Sequence, residues 1–348
     1  MSAAYTQAIG ALLQGQDLSH QQAAQVMEEM MEGRLEHARI AALLTALKLK
    51  GEQASELTAL ASVMRGKMKR VSVEGPVLDT CGTGGSGLDT ANTSTMTAFV
   101  LAADGVKVAK HGNRASSGRC GSSDVLEALG TPIEIPPQQA SQLLEEVGLA
   151  LLFAPLYHPA VRHVVPVRKA LGFRTVFNSL GPLCNPAGAT LQLLGVSNRA
   201  HAPMMASALA SMGSQHALVV HGHDGLDELT LTGPSHLWEV RDGQVSHRTL
   251  APQDVGLKPA PFEAIAGGGI ETNVRLFEGL LSGKIQGAHR DHLALNAGAA
   301  LFVAGRARDI AHGVERALAL LKDGAPMATF EAYRCQARAL LNHGEVAA

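Results

Sequence analysis

Cys81-Gly82-Thr83-Gly84-Gly85-Ser86-Gly87 lies between a short apolar run, Val77-Leu78, and a helical pattern from Thr95 to Ala103. A glycine loop in that place can turn its backbone N–H groups, and the amino end of the next helix, toward one anion. Gly82, Gly84 and Gly87 satisfy G-x-G-x-x-G, but the dinucleotide version also needs an acidic residue at the end of the next strand to hold a ribose. That strand ends instead in Lys110-His111, which suits phosphate. A Walker A loop is excluded, because no Lys-Ser or Lys-Thr follows Gly87. For the loop alone, a tight turn with surplus glycine stays open.

Further polar segments narrow the choice. Asn92-Thr93-Ser94-Thr95 places four polar side chains at a helix start, where they can cap orphan N–H groups or bind phosphate and metal, and capping needs only one of them. Lys110-His111-Gly112-Asn113-Arg114 runs into Ala115 to Ser122, a second loop dense in donors. Two such loops at the ends of adjacent strands predict a site for a ligand with several phosphates. Asp227-Glu228, after the Asp224-Gly225 turn, is either a cation-binding pair or a solvated acidic pair at a strand end. Neighbouring side chains in a regular strand point to opposite faces, so both carboxylates reach one metal only if the strand begins there. The spaced histidines His221 with His223 and His158 with His163 lack a third ligand in reach and are read as structural.

The elements that must position these residues follow from periodicity. Spacings such as Ile9, Leu12, Leu13 and Ile40, Leu43, Leu44, Leu47 predict short amphipathic helices over the first seventy residues. Ser19 with Gln22 forms a capping box, and Gly33, Gly51 and Gly66 stand at helix stops. From Pro76 the pattern alternates strand and helix, with strands expected at 77–78, 106–109, 149–153, 191–196, 217–220 and 228–231, implying a largely parallel sheet. Residues 234–268 read as hairpin and loop, and Asn273 onward as helix, with Gly305 ending the apolar run from Leu293 to Ala304. No tandem repeat is visible.

At 348 residues the chain can bury a large core without disulfides or a structural metal. Its 29 basic and 31 acidic side chains and 3% aromatics lack the basic, stacking-rich surface of a nucleic-acid binder, which points to small-molecule partners. Cys81, Cys120, Cys184 and Cys335 form no C-x-x-C pair and are expected to be reduced. The N-terminus has no signal-peptide pattern, and no apolar run reaches the ~18 residues of a membrane span, so a cytoplasmic protein without membrane contact is expected.

Taken together, these segments resemble the anthranilate phosphoribosyltransferase family. Cys81 to Gly87, Asn92 to Thr95 and Lys110 to Arg114 look like its usual GTGGDG, N-I-S-T and KHGNR. The likeness continues through Gly121 to Leu126, His158-Pro159-Ala160, Pro166-Val167-Arg168, Thr175 to Pro186, Asp224 to Glu228 and Asn296 to Gly305, and covers nearly the whole chain. It implies an α/β fold of the nucleoside phosphorylase/phosphoribosyltransferase kind, a mostly parallel central sheet flanked by helices. The expected domains are a small all-helical one (1–70), joined by a helical segment near 160–185, and an α/β one (71–348). The implied activity transfers the phosphoribosyl group of phosphoribosyl diphosphate to the amine of anthranilate, releasing diphosphate, in tryptophan biosynthesis, with Mg2+ and as a homodimer.

By the same resemblance, Gly82, Gly85, Thr90, Asn92, Ser94, Thr95, Lys110, Ser117 and Ser122 would hold the donor's oxygens. Ser86, Thr93, His111, Gly112, Asn113 and Gly118 would complete that site, and Ser94, Asp227 and Glu228 would hold magnesium. Lys110 would offset charge as diphosphate leaves. Gly82, Asn113, Arg168, His111 and His158 would meet anthranilate, with Lys110, Asn113 and Arg168 as the catalytic set. Arg168 suits a carboxylate by its planar fork, although Arg162 and Lys169 are equally available and the resemblance alone singles it out. Three positions depart from the family pattern: Ser86 replaces the usual acid, Ala91 the usual Phe and Thr93 the usual Ile. Asp89 is close enough in sequence to Ser86 to substitute in part for the missing acid. The rival readings are a pyrimidine nucleoside phosphorylase-like enzyme and a non-catalytic nucleic-acid-binding relative. Lys110 to Arg114 and Asp227-Glu228 favour the transferase over the first, and the charge balance disfavours the second.

Overall fold

The computed structural model describes residues 2–114 and 120–345. Four helices open the chain, α1 (Ala3–Leu13), α2 (His20–Met31), α3 (His37–Lys50) and α4 (Ala54–Gly66). The capping box of α2 is formed, with Ser19 Oγ accepting from Gln22 N at 3.3 Å and Gln22 Oε1 accepting from Ser19 N at 2.9 Å. Gly51 ends α3 at φ 91°, whereas Gly66 is the last residue of α4 and Lys67 follows as its C-cap. The inward stripes of these helices, including Leu12, Met27, Ile40 and Leu57, share one core with Val164, Val167, Phe177 and Leu183. Residues from the middle of the chain are therefore built into the helical layer.

One sheet contains β1 (Leu78–Gly82), β2 (Val108–Gly112), β3 (Leu149–Phe153), β4 (Leu191–Gly195), β5 (His216–Gly222), β6 (Ser235–Arg241) and β7 (Gln244–Leu250). Its order is β3-β2-β1-β4-β5-β6-β7; the strands from β3 to β5 are parallel, and β6 and β7 add on as an antiparallel hairpin. The expected strand at 228–231 does not form. There, Leu229 N donates to Asn296 Oδ1 and Thr230 N to Ser235 Oγ, so the backbone bonds to side chains rather than to a neighbouring strand. Leu226, Leu229 and Leu231 nevertheless reach the core, which explains their strand-like apolar spacing.

Successive strand residues face opposite layers: Leu193 and Leu218 join one core, Leu194 and Val219 the other. The second core holds α1–α4 and the helix Ala202–Ser211. The first holds α5 (Thr93–Ala103) and the C-terminal helices. In it Phe99 of α5 meets Phe277, Phe330 and Tyr333 edge to face, with ring centroids 5.6, 5.3 and 6.0 Å away. Such pairs add about 0.5–1.5 kcal/mol each beyond burial, and here they pin the helix whose amino end faces the site. All four cysteines are free thiols.

Candidate active site

The strand order changes direction between β1 and β4, the place where open α/β sheets bind ligands at the carboxyl ends of their strands. There Gly82 and Gly195 pair across the two strands, and Asp227 is seated on both. A Cβ on Gly82 would lie 2.5 Å from Asp227 Oδ2, and one on Gly195 would lie 1.6 Å from the Asp227 carbonyl oxygen. The glycines thus admit a carboxylate at the mouth of the sheet. Cys81 and Gly82, expected in the loop, are the last residues of β1. The loop proper is held by Gly84 N, which donates to Asp227 Oδ2 at 2.7 Å, and by Arg174 Nη2, which donates to the Thr83 carbonyl at 2.7 Å.

Above the loop, α5 begins without a side-chain cap, leaving N–H groups at its amino end free for an anion. Asn92 precedes it in the left-handed region (φ 57°), which Asn tolerates better than most residues. Its side chain accepts from Asn273 Nδ2 at 2.8 Å and donates to the Cys120 carbonyl at 3.2 Å. Lys110 is buried in β2 and donates to the Thr80 carbonyl at 2.7 Å and to Ser94 Oγ at 3.2 Å. Two of the three ammonium donors are used, which leaves one for a ligand. Burial pulls the Lys110 ammonium below its ordinary range, opposed by the charge of Asp79. Asp79 in turn accepts from Asn185 Nδ2 at 2.8 Å and His111 N at 3.1 Å, and burial pushes its carboxyl to about 6.

Asp227 and Glu228 sit beside this cation, and burial raises both carboxyls. Glu228 reaches about 8, from burial first and the neighbouring Asp227 second. Thr90 Oγ1 lies 3.4 Å from Glu228 Oε1, while Oε2 is buried with His292 Nε2 3.6 Å away and no partner within hydrogen-bond distance. Two adjacent buried carboxyls with one orphaned oxygen fit a hard divalent cation that takes few protein ligands and keeps substrate oxygens and water. Because 226–232 is not a strand, the opposite-face constraint on neighbouring side chains does not apply. Among the described residues no three His, Cys, Asp or Glu side chains come together as a metal-binding group. His221 bonds to the Val196 carbonyl and His223 to Thr232, while His163 packs on Gly33.

The other end of the cleft is apolar. His111 and His158 face each other with ring centroids 5.0 Å apart. His111 Nδ1 lies 3.2 Å from the Gly181 carbonyl, so Nδ1 carries the proton and Nε2 is a buried acceptor without a partner. Burial, and then the neighbouring His158, lowers the His111 imidazole to about 3, and burial lowers His158 to about 4. Both rings are uncharged at neutral pH. Arg168 stacks over Phe177 with its guanidinium carbon 5.5 Å from the ring centre, and no carboxylate pairs with it among the described residues.

One cleft of ≈ 840 Å³ joins these parts. It lies toward the upper end of ordinary ligand pockets, about 300–1,000 Å³, and has room for two substrates. Gly82, Gly85, Ser86, Thr90, Asn92, Ser94 and Lys110 border it on the polar side together with Asp227 and Glu228. His111, Gly112, Asn113, Ser122, His158 and Arg168 border the rest. Thr93 and Thr95 are not brought to it: both side chains are buried, with Thr93 Oγ1 3.5 Å from His292 Nδ1 and Thr95 Oγ1 unpartnered. Thr93 lies behind the lining, beside Glu228. Ser117 and Gly118 lie outside the described residues. Sequence reasoning missed Arg174, Ser197, Gly195 and the cleft-lining Met64 and Phe177. Of these, only Phe177 fell inside a segment that carried the family resemblance, while Gly195 and Arg174 lay in segments read as a strand and a helical link.

Family models agree with this architecture. The helical bundle domain of a glycosyl transferase family matches residues 6–68, and the a/b domain of a glycosyl transferase family matches residues 74–327. The chain is therefore a glycosyltransferase of the two-part kind that the fold and cleft define. It is 51% identical over 321 residues to an anthranilate phosphoribosyltransferase of Roseiflexus sp. (strain RS-1), covering 92% of this chain and 94% of that protein. The crystal structure of anthranilate phosphoribosyltransferase from Thermus thermophilus superposes with a TM-score of 0.90 at 45% identity, covering 95% of this chain and 99% of that one. The Saccharomyces cerevisiae enzyme in complex with PRPP and Mg also gives 0.90, at 26% identity, covering 97% of this chain and 99% of that one. The chain belongs to the anthranilate phosphoribosyltransferase family.

Proposed function

We propose that this cleft transfers the phosphoribosyl group of phosphoribosyl diphosphate to the amine of anthranilate, releasing diphosphate, as a step of tryptophan biosynthesis. The observation that carries the assignment is the division of one cleft into two chemistries. A glycine loop, an uncapped helix start, Lys110 and a carboxylate pair occupy one end, and Arg168 with two uncharged histidines occupies the other. Solved relatives from yeast are described with PRPP and Mg and with 4-fluoroanthranilate.

In this reading the loop N–H groups, the start of α5, Thr90, Asn92, Ser94 and Ser122 bind the donor's phosphates. Asp227, Glu228 and Ser94 would hold magnesium together with the substrate's diphosphate, and the ion would neutralise charge on the leaving group. Lys110 supplies a fixed cation beside the departing diphosphate. Arg168 takes the acceptor carboxylate bidentately, Asn113 borders the same space, and the His pair packs against the ring. The amine nitrogen forms a bond to the ribose carbon as the carbon–oxygen bond to diphosphate breaks, and the strongly acidic arylammonium that results then gives its proton to water. An arylamine is neutral near pH 7, so it needs no base before attack. His111 Nε2, a buried acceptor without a partner, can accept an N–H of the amine and orient it. Positioning and charge stabilisation supply most of the rate.

Anthranilate fluorescence, followed with purified protein, phosphoribosyl diphosphate and magnesium, tests the reaction. The signal should fall only when all three are present, and persistence of the signal with the donor bound would reject anthranilate as acceptor. We further propose a cytoplasmic homodimer. No helix among the described residues is long and apolar enough to cross a membrane, and Leu13 and Leu49, on the packed helices α1 and α3, are 75% and 83% exposed. Light scattering after gel filtration should give twice the chain mass.

A further inference from the structure

Two side chains that do not border the cleft hold its glycine loop from behind. Arg174 Nη2 donates to the Thr83 carbonyl at 2.7 Å, and Ser197 Oγ donates to the Gly84 carbonyl at 2.8 Å. The backbone N of Ser197 donates to Thr83 Oγ1 at 3.2 Å, and Thr83 N donates to the Gly195 carbonyl at 2.8 Å. Neither Arg174 nor Ser197 lines the cleft, whereas Thr83, Gly84, Gly85 and Ser86 all do.

This arrangement matters because a peptide loop attracts an anion only while its N–H groups face inward; an inward carbonyl repels the same anion. Consecutive peptides rich in glycine have little intrinsic preference between the two orientations. An outside partner on each carbonyl removes that ambiguity. Arg174 also explains Gly85. A Cβ there would lie 2.0 Å from Arg174 Nη1, and the backbone has φ +82°, so the position accepts only glycine while Arg174 remains in place. Its missing side chain thus serves the arginine behind the loop as much as the ligand in front.

We infer that Arg174, assisted by Ser197, is a positioning residue for the diphosphate cradle: holding the Thr83 carbonyl keeps the Gly84 N–H on Asp227, and holding the Gly84 carbonyl leaves the Gly85 N–H to face the cleft. The inference rests on the loop's being the donor cradle. Asp227 accepts from Gly84 N, the other end of the peptide whose carbonyl Arg174 holds, so the two side chains fix one peptide unit between them.

Titration calorimetry of magnesium phosphoribosyl diphosphate into the full-length protein tests it, with magnesium diphosphate as a second probe. R174Q should weaken both probes about 10- to 100-fold, the range for losing a charged hydrogen bond, and S197A about fivefold, the range for a neutral one. In steady-state assays KM for anthranilate should stay within twofold and the thermal midpoint should barely move, while R174K recovers part of the donor affinity. Donor binding by R174Q equal to wild type overturns the inference. So does equal loss of both substrates together with stability, which marks a merely structural arginine. Should R174Q fail to fold, S197A decides alone, and unchanged donor affinity in it is refuting. Wild-type protein that binds neither probe would remove the cradle reading as well, which separates the two failures.

Discussion

In the metal-free protein, Glu228 keeps its proton at neutral pH, and loading the site should expel it. Burial and the adjacent Asp227 push this carboxyl from an ordinary 4.5 to about 8. At pH 7 about nine molecules in ten then carry the proton, and a metal ligand must lose it. Binding of magnesium phosphoribosyl diphosphate at pH 7 should therefore release about 0.9 proton, and affinity should rise about 50-fold between pH 6 and pH 8. Calorimetry in buffers of different ionisation enthalpy counts the proton directly. Glu228→Gln should abolish both the release and the slope while weakening donor binding. The stability sign follows from the same shift. A folded-state pKa above the unfolded one favours the fold at low pH, so the metal-free protein loses this contribution as pH rises from 4.5 to about 8. The upper bound on that loss is about 1.4 kcal/mol per pH unit. Glu228→Gln should accordingly raise the thermal midpoint of metal-free protein at pH 8 and change it little at pH 4.5. No proton release at pH 7, with wild-type and Glu228→Gln melting alike at pH 8, would refute the reasoning.

Arg168→Ala should raise KM for anthranilate about 10- to 100-fold, the range for losing a charged hydrogen-bonding partner, with donor affinity unchanged by calorimetry. Lys110→Met should lower kcat about 100- to 1,000-fold, as expected when a fixed donor beside developing charge is lost, and stopped-flow fluorescence would report it. Gly195→Ala places a Cβ 1.6 Å from the Asp227 carbonyl oxygen, so both donor affinity and the thermal midpoint should drop, by about 1–3 kcal/mol in stability. Since His111 and His158 titrate near 3 and 4 and are neutral above those values, a His111→Asn, His158→Asn variant should keep the wild-type shape of the pH–rate profile between pH 5.5 and 8. A wild-type inflection that disappears in the variant would contradict this.

What the sequence made legible was local. The loop 81–87, Asn92 to Thr95 and Lys110 to Arg114 carry their chemistry in residue type and short spacing, and each lies at the carboxyl end of β1 or β2, on the turn that follows, or at the start of α5. The capping box at Ser19 and Gln22 needed only three residues of context. The expected strand at 228–231 failed for the complementary reason. Alternating apolar residues report burial, but the partners that take up this backbone are Asn296, 67 residues away, and the Ser235 hydroxyl. Thr93 and Thr95 do not border the cleft, because four successive polar residues at a helix start cannot all face one ligand.

The same distinction explains why Arg174, Ser197 and Gly195 were invisible. Each acts on the glycine loop or on Asp227 from far along the chain; Arg174 lies 91 residues from Thr83, and Asp227 lies 143 from Gly84. Nothing in the local pattern of Arg174 separates it from Arg162, Arg168 or Lys169. The strand order supplies the missing information: with β4 beside β1, the turn after β4 comes under the loop after β1, and Ser197 and Asp227 arrive there together. Ser86 belongs to the same argument. Its hydroxyl lies 3.3 Å from Leu88 N, within the loop, so the family's usual acid is replaced by a residue that braces the turn. Asp89 also borders the cleft, but Asp227 and Glu228 are the adjacent pair held by the long-range frame of glycines and strand ends, so the site's affinity for magnesium should follow their protonation.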